Sequence, residues 1–416
     1  MTRALGRIHP QHHRVLLFHQ RPLVPKFAQL FGANRSIVGR IKHQNNIAPP
    51  QCGKRDNFPV LIRKREIGSQ RADRQRLREE TEQPRFYTPP PYNLNLRPFH
   101  PLFRNAHLAT LAGNFWPRPK VDQRWPVEAM LYRTEPDVQV LVHAQRPDAA
   151  PKGEIILIHG LEGSSASGYM QSMAFAALER GYATHRFHMR GCGGSESLSV
   201  TSYHAGQTSD LLAVIRERKR LSSVPLFLAG YSLGGNVALK LAGELGSQAC
   251  DLLAGVIAVS APIELAAGAE ALECRENRLY QNRFVDRLKA RIRRKHVQSP
   301  EIYTLEHLPK IRTVIDFDNY YTAPLFGFGT AANYFRTQSS NQFLENIQIP
   351  TLLIHAKDDP LVPFRIYSHP AIPKNPHLRL VATDYGGHLG FLARNRPRFW
   401  LDALAMDWVE GMYPNS

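Results

Sequence analysis

Leu226-Phe227-Leu228-Ala229-Gly230-Tyr231-Ser232-Leu233-Gly234-Gly235-Asn236 joins a short apolar run to a helix-forming segment that continues to Leu245. The run Leu226 to Ala229 has the length and composition of a buried strand, and the glycines on either side of Ser232 permit a sharp strand-to-helix turn. In such a turn the serine backbone is strained, and its hydroxyl stands out at the carboxyl end of a sheet. Ser232 is therefore the candidate nucleophile. The amide of the next residue, Leu233, is a candidate donor to a developing oxyanion.

Outward from this turn, apolar runs alternate with helical stretches. Glu154 to Ile158 precedes Gly168 to Arg180, Ala183 to Phe187 precedes Ala205 to Arg218, and Leu226 to Ala229 precedes Gly234 to Leu245. The runs Leu253 to Val259, Thr351 to Ile354 and Leu378 to Val381 follow, and a helix around Phe399 to Val409 ends the pattern. Strands alternating with helices predict an α/β fold with a mostly parallel central sheet covered on both faces. The rhythm breaks between about residues 262 and 348, where a basic helical stretch (Arg283 to Lys295) and an aromatic segment (Asp316 to Phe335) stand. An insertion between two late strands is a natural cap over an active-site mouth. The basic stretch reads as a solvated helix face, and the aromatics as either a small core of the cap or the lining of an acyl pocket.

A serine hydroxyl needs a general base, and the base needs an orienting acid. After a nucleophile turn of this kind the partners follow in the order acid, then histidine. The strand Thr351 to Ile354 leads into His355-Ala356-Lys357-Asp358-Asp359-Pro360-Leu361-Val362-Pro363. Asp359 is the preferred acid from its spacing to Val362-Pro363, and Asp358 is the alternative, with turn capping as its structural use. Among 18 histidines, His388 follows the last strand within Asp384-Tyr385-Gly386-Gly387-His388-Leu389-Gly390, where glycines let a loop carry it towards the serine. It is the candidate general base. The run Ile155 to Ile158 leads into His159-Gly160-Leu161-Glu162-Gly163, which makes Leu161 the second candidate oxyanion donor and His159 a holder of that loop.

The 416 residues carry 53 Lys and Arg against 35 Asp and Glu, and 12 of the 18 net positive charges fall within residues 1–85. That part has no acidic residue before Asp56 and no sustained periodicity, so residues 1–88 read as a basic, disordered extension to a folded domain over 89–411. Nucleic-acid binding by the extension fits the charge but lacks a recognition motif, and a transit peptide would be richer in serine. Cys52, Cys192, Cys250 and Cys274 show neither disulfide nor zinc spacing, which predicts reduced thiols in a cytoplasmic protein. No stretch approaches 18 consecutive apolar residues, so no transmembrane anchor is expected. Neither a metal-ligand cluster nor a dinucleotide or P-loop fingerprint occurs, so no cofactor and no metal are expected.

Taken together, these motifs resemble the YheT-like α/β-hydrolase family. The resemblance rests on the turn Gly230 to Asn236, on Arg104-Asn105-Ala106-His107-Leu108-Ala109-Thr110-Leu111, on Arg190-Gly191-Cys192-Gly193-Gly194-Ser195, on Ile315-Asp316-Phe317-Asp318 with Thr322-Ala323 and Gly327-Phe328, and on Asp358-Asp359-Pro360. It spans about residues 94–410 and departs from the family at Ala109, where a glutamine is usual. The resemblance implies an α/β-hydrolase fold with Ser232, Asp359 and His388 as its triad. It also implies a serine esterase or lipase-like enzyme acting on a small-molecule or lipid ester, acylglycerols included, through an acyl-enzyme. Acyl transfer by the same triad and a catalytically silent binding scaffold are the alternatives.

Overall fold

A computed structural model describes residues 97–412 of the chain. The extension expected over residues 1–88 lies outside the described residues, as does the start of the Pro-rich segment after it.

One sheet organises the described residues. Its strands are β1 (Glu128–Glu135), β2 (Val138–Gln145), β3 (Gly153–Ile158), β4 (Tyr182–Phe187), β5 (Leu226–Tyr231), β6 (Gly255–Val259), β7 (Thr351–Ala356) and β8 (Leu378–Thr383), in the spatial order β1-β2-β4-β3-β5-β6-β7-β8. The β1–β2 and β2–β4 pairs are antiparallel, and every other neighbouring pair is parallel. The main helices are α1 (Ala106–Phe115), α2 (Gly168–Glu179), α3 (Ser209–Leu221), α4 (Leu233–Leu245), α5 (Leu265–Glu273), α6 (Arg278–Gln298), α7 (Ala331–Gln338) and α8 (Trp400–Gly411).

The central strands β3, β5 and β7 are buried along their whole length, as parallel strands covered on both faces must be. Successive side chains point to opposite faces, so each strand feeds two cores. Ile156, Ile158, Leu228 and Leu353 pack with Leu211 and Val214 of α3 and Val237 and Leu241 of α4. Ile155, Leu157, Phe227 and Leu352 pack with Met170 and Met173 of α2 and Leu404 and Trp408 of α8. Each fully buried aliphatic side chain contributes about 1.5–3 kcal/mol, and the two layers together hold the strand ends in register. That register pairs Ile158 with Gly230, Tyr231 with Val259, and Val259 with Ile354, which brings the carboxyl ends of four strands to one rim.

The strand rhythm in the sequence matches β3 to β8 closely, with β5 running on to Tyr231 and β6 starting at Gly255 instead of Leu253. The β1–β2 hairpin has no counterpart in the sequence reading. β1 is largely exposed and carries Glu128, Arg133 and Glu135, so it lacks the apolar signature of a strand.

Between β6 and β7 stand α5, α6 and α7. Helix α6 corrects the expectation of a solvated basic face. Arg283, Arg287, Arg293 and Arg294 are exposed, but Arg291 and Lys295 are buried, at 3% and 0% exposure. The Lys295 ammonium donates to the carbonyls of Glu196 and Ser199, and burial brings its pKa down to about 8.

Candidate active site

Ser232 lies at the turn from β5 to α4 with φ 52° and ψ −121°, a backbone conformation that side chains other than glycine rarely adopt. Hydrogen bonds hold it there. Its amide donates to the Val259 carbonyl at 2.8 Å, and its own carbonyl accepts from Gly235 at 2.8 Å. The flanking glycines are required by close packing: a Cβ on Gly230 would lie 2.3 Å from the Gly234 carbonyl oxygen, and one on Gly234 would lie 2.4 Å from the Ile158 carbonyl oxygen.

The Ser232 Oγ is 3.0 Å from His388 Nε2, and His388 Nδ1 is 2.9 Å from Asp359 Oδ2 and 3.2 Å from Oδ1. The structure thus brings together three positions that are 127 and 29 residues apart in sequence. Asp359 Oδ1 also accepts from the amides of Leu361 and Val362, at 2.9 and 3.0 Å, which fixes the carboxylate on the turn after β7. Burial alone would raise its pKa, but His388 outweighs burial, with His355 and the Leu361 amide adding to it, so the carboxyl is held below its ordinary range. A carboxylate facing Nδ1 favours the tautomer with hydrogen on Nδ1, which leaves Nε2 to accept from the serine hydroxyl.

Asp358, the alternative acid, faces elsewhere. Its Oδ1 accepts from the Gly387 amide at 2.8 Å, and burial raises its pKa to about 6. It braces the loop that carries His388 and does not meet the imidazole.

Helix α1 is a second brace that the sequence reading did not assign. Asn105 caps it by accepting from the Leu108 amide at 3.0 Å. Thr110 Oγ1 accepts from the His388 amide at 2.8 Å and donates to the Ala106 carbonyl at 2.7 Å. Gly390 packs so tightly on this helix that a Cβ there would lie 2.1 Å from the Ala109 carbonyl oxygen. The resemblance to a family element around Asn105 and His107 was the available signal. Its meaning is support of the histidine loop.

Leu161 sits in the loop after β3, in a turn closed by the Gly163 amide donating to the Gly160 carbonyl at 3.0 Å. Among the described residues, neither the Leu161 nor the Leu233 amide has a protein acceptor. Two buried imidazoles staple this loop to the end of β4. His159 Nδ1 donates to the Gly160 carbonyl at 2.7 Å while its Nε2 accepts from the Met189 amide at 3.2 Å. His188 Nδ1 donates to the Leu141 carbonyl at 3.1 Å while its Nε2 accepts from the Ser165 amide at 3.1 Å.

Both rings work only when neutral. Burial first, then neighbouring charges, lowers the pKa of His188 to about 3, and burial lowers that of His159 to about 4. A histidine with a depressed folded pKa contributes stability that is complete above the unfolded value near 6.5 and lost as pH falls towards the folded one. His188→Asn is therefore expected to destabilise by about 3 kcal/mol at pH 7, through two lost hydrogen bonds and a void. The gap to wild type narrows by about 1.4 kcal/mol per pH unit below 6.5. Urea unfolding of both proteins at pH 7, 6 and 5 checks this; a gap that stays constant with pH removes the assignment of a neutral staple.

A cavity open in part to solvent meets Ser232, His388, Leu161 and Leu233 on one side. The segment between β6 and β7 supplies much of the rest, including Leu265, Phe284, Val314, Phe317 and Phe335. Of the aromatic residues in the segment, Phe284, Phe317, Tyr334 and Phe335 line the cavity, and Phe317 also packs with Tyr303 and Tyr321 in the core. Among the described residues Asp318 is the one carboxyl group that lines the cavity, and burial raises its pKa to about 7. Among the described residues no group of three or more His, Cys, Asp or Glu side chains is placed to hold a metal ion, and no helix is long and apolar enough to cross a membrane.

A mostly parallel sheet covered on both faces, with a serine on a strained strand-to-helix turn and a histidine after the last strand, defines an α/β-hydrolase. Residues 149–367 match the family model described as Serine aminopeptidase, S33. The chain is 33% identical over 316 residues to YheT of Escherichia coli (strain K12), which carries a provisional esterase name, covering 74% of this chain and 91% of that one. It is 30% identical to Phospholipase ABHD3 of Mus musculus, over 64% of this chain and 65% of that one. It is also 30% identical to Monoacylglycerol lipase of Saccharomyces cerevisiae, over 61% and 57%. The chain belongs to the YheT-like α/β-hydrolase family, and it is an enzyme of that class.

Proposed function

We infer that the protein hydrolyses carboxylic esters by a serine mechanism in which Ser232 is the nucleophile, His388 the general base and Asp359 the orienting acid. The observation that carries this reading is the hydrogen-bonded series from Ser232 Oγ to His388 Nε2 at 3.0 Å and from His388 Nδ1 to Asp359 at 2.9 Å, opening on an apolar cavity. His388 takes the hydroxyl proton as Ser232 Oγ bonds to the ester carbonyl carbon, and the carbonyl oxygen becomes an oxyanion facing the free amides of Leu161 and Leu233. Collapse breaks the bond to the leaving alkoxide, which takes the proton from His388. Water, deprotonated by His388, then attacks the acyl-enzyme and releases the acid and Ser232.

The segment of about residues 262–348 acts as a cap whose apolar side chains hold the acyl chain. The named activities of the mouse and yeast relatives fit lipid esters as the substrate class. An aminopeptidase would need anionic partners for a substrate ammonium, and among the described residues the cavity offers only Asp318, whose burial favours the neutral acid.

A fluorophosphonate probe is expected to label the wild-type protein on Ser232, read by mass spectrometry of the adduct. On p-nitrophenyl esters of increasing length, kcat/KM is expected to rise about fourfold per methylene while the chain is being buried, then level off. Absence of an adduct in folded protein, or an adduct elsewhere, refutes the reading. A series indifferent to chain length refutes the acyl pocket.

A further inference from the structure

Glu162, the residue after Leu161, has φ 54°, and it is held from the cap. Its carboxylate lies 2.6 Å from the Arg291 guanidinium, in a pair whose side chains are 4% and 6% exposed. Tyr203 closes the other side: the Glu162 amide donates to the Tyr203 oxygen at 3.0 Å, and the Tyr203 hydroxyl donates to Glu162 Oε1 at 3.1 Å. One turn earlier on α6, Arg287 donates to the Glu162 backbone carbonyl at 3.3 Å. The Arg291 guanidinium lies over the Tyr203 ring at 4.6 Å and over Phe317 at 5.6 Å. Two cations at i and i+4 on one cap helix thus grip both ends of a single residue in the loop that carries Leu161.

We propose that Arg291, acting through Glu162, is a positioning residue for the oxyanion hole, so that the docked cap holds the Leu161 amide in its working orientation. A positive φ at a residue with a side chain persists only where its surroundings over-determine it. Here the constraint comes from the element that also lines the acyl pocket. The chain needs a long-range contact to finish a short loop, because Glu162 stands where glycine would hold the turn unaided. Burial works against the guanidinium charge, but Glu162 first and then Tyr203 outweigh it, so Arg291 stays a cation. Arg291 makes no step of the chemistry itself.

This inference rests on the reading of Leu161 as an oxyanion donor, and the experiment separates the two. Steady-state kinetics on p-nitrophenyl acetate, too short to fill the pocket, would compare wild type with Arg291→Met, Arg291→Lys and the double variant Arg291→Met/Glu162→Gly. Loss of one oxyanion donor costs on the order of 10²- to 10³-fold in kcat, and misplacement of one is expected to cost about 10- to 100-fold with KM changed less than about threefold. Lysine keeps the buried cation and is expected to restore part of the loss. The double variant is the decisive arm. It removes both charges, and glycine adopts φ 54° without a grip, so kcat is expected to recover at least about fivefold over Arg291→Met. A double variant no better than Arg291→Met, or an Arg291→Met effect confined to KM, overturns the inference while leaving the serine mechanism intact. Wild-type protein that neither turns over the ester nor takes the fluorophosphonate overturns both.

Discussion

Ser232→Ala is expected to lower kcat on any ester the protein turns over by about 10⁵- to 10⁶-fold, with the fold and unfolding midpoint little changed. The size follows from the chemistry. Without the hydroxyl no acyl-enzyme forms, and the remaining rate is what an oxyanion site and binding supply to attack by water. His388→Ala should cost nearly as much, since a neutral serine without a base within 3.0 Å is a poor nucleophile at neutral pH. The sharper expectation concerns the double variant. If Ser232 and His388 act as one unit, removing both costs no more than removing either. Additive losses would mean that they serve separate steps. A Ser232→Ala protein retaining more than about 1% of the wild-type rate would mean that the nucleophile is elsewhere.

The parts of the site that were legible in the sequence share one property: a local pattern that the sheet turns into a place. Glycines around Ser232 announce a turn, and the turn falls at the end of β5 because the apolar run before it is continuous. Asp359 and His388 follow apolar strands in the same way, so an order along the chain becomes a rim in space. Pairings across the fold were not legible. Arg291 and Glu162 are 129 residues apart, and a basic helix is usually solvated, so nothing local says that one arginine of α6 is buried against the loop after β3. Thr110 lies in an element that resembles the family's, but its role was not legible for the same reason, because it depends on the loop 278 residues later. Strand β1 was missed on different grounds: an exposed edge strand can be built from polar residues, and its pattern then resembles a loop. Its partner β2 does alternate, with Val138, Val140 and Val142 buried, but it stands outside the strand-helix rhythm.

The segment between β6 and β7 packs on the core and also contacts the loops at the strand ends. Helix α6 buries Val285, Leu288 and Ile292 on the same core that holds β3 and β5, while Arg291 and Lys295 from that buried side reach the loops after β3 and β4. Cations buried without partners would be expensive, so their burial here depends on the carboxylate and carbonyls that the core loops present. Helix α6 and the core loops it meets are therefore complementary in charge.

The two adjacent aspartates give the second large expectation. Asp359→Asn is expected to lower kcat by about 10⁴-fold, whereas Asp358→Asn is expected to stay within about tenfold of wild type. The neutral amide at 359 would keep its oxygen on the Leu361 and Val362 amides, which now hold Asp359 Oδ1 at 2.9 and 3.0 Å, and would turn its NH₂ towards His388 Nδ1. Facing a donor, Nδ1 must accept, so the ring hydrogen moves to Nε2 and points at the serine it should deprotonate. The geometry survives and the tautomer is wrong, which is the arrangement that costs about 10⁴-fold in a serine triad. At 358 the same substitution keeps a carbonyl oxygen for the Gly387 amide, now 2.8 Å away, and the loop carrying His388 stays braced. Rates on p-nitrophenyl butyrate at pH 7.5 decide the matter, with circular dichroism to confirm that both variants fold. A large loss at 358 with a small one at 359 would exchange the roles of the two carboxylates, and equal losses would mean that both act by holding the loop.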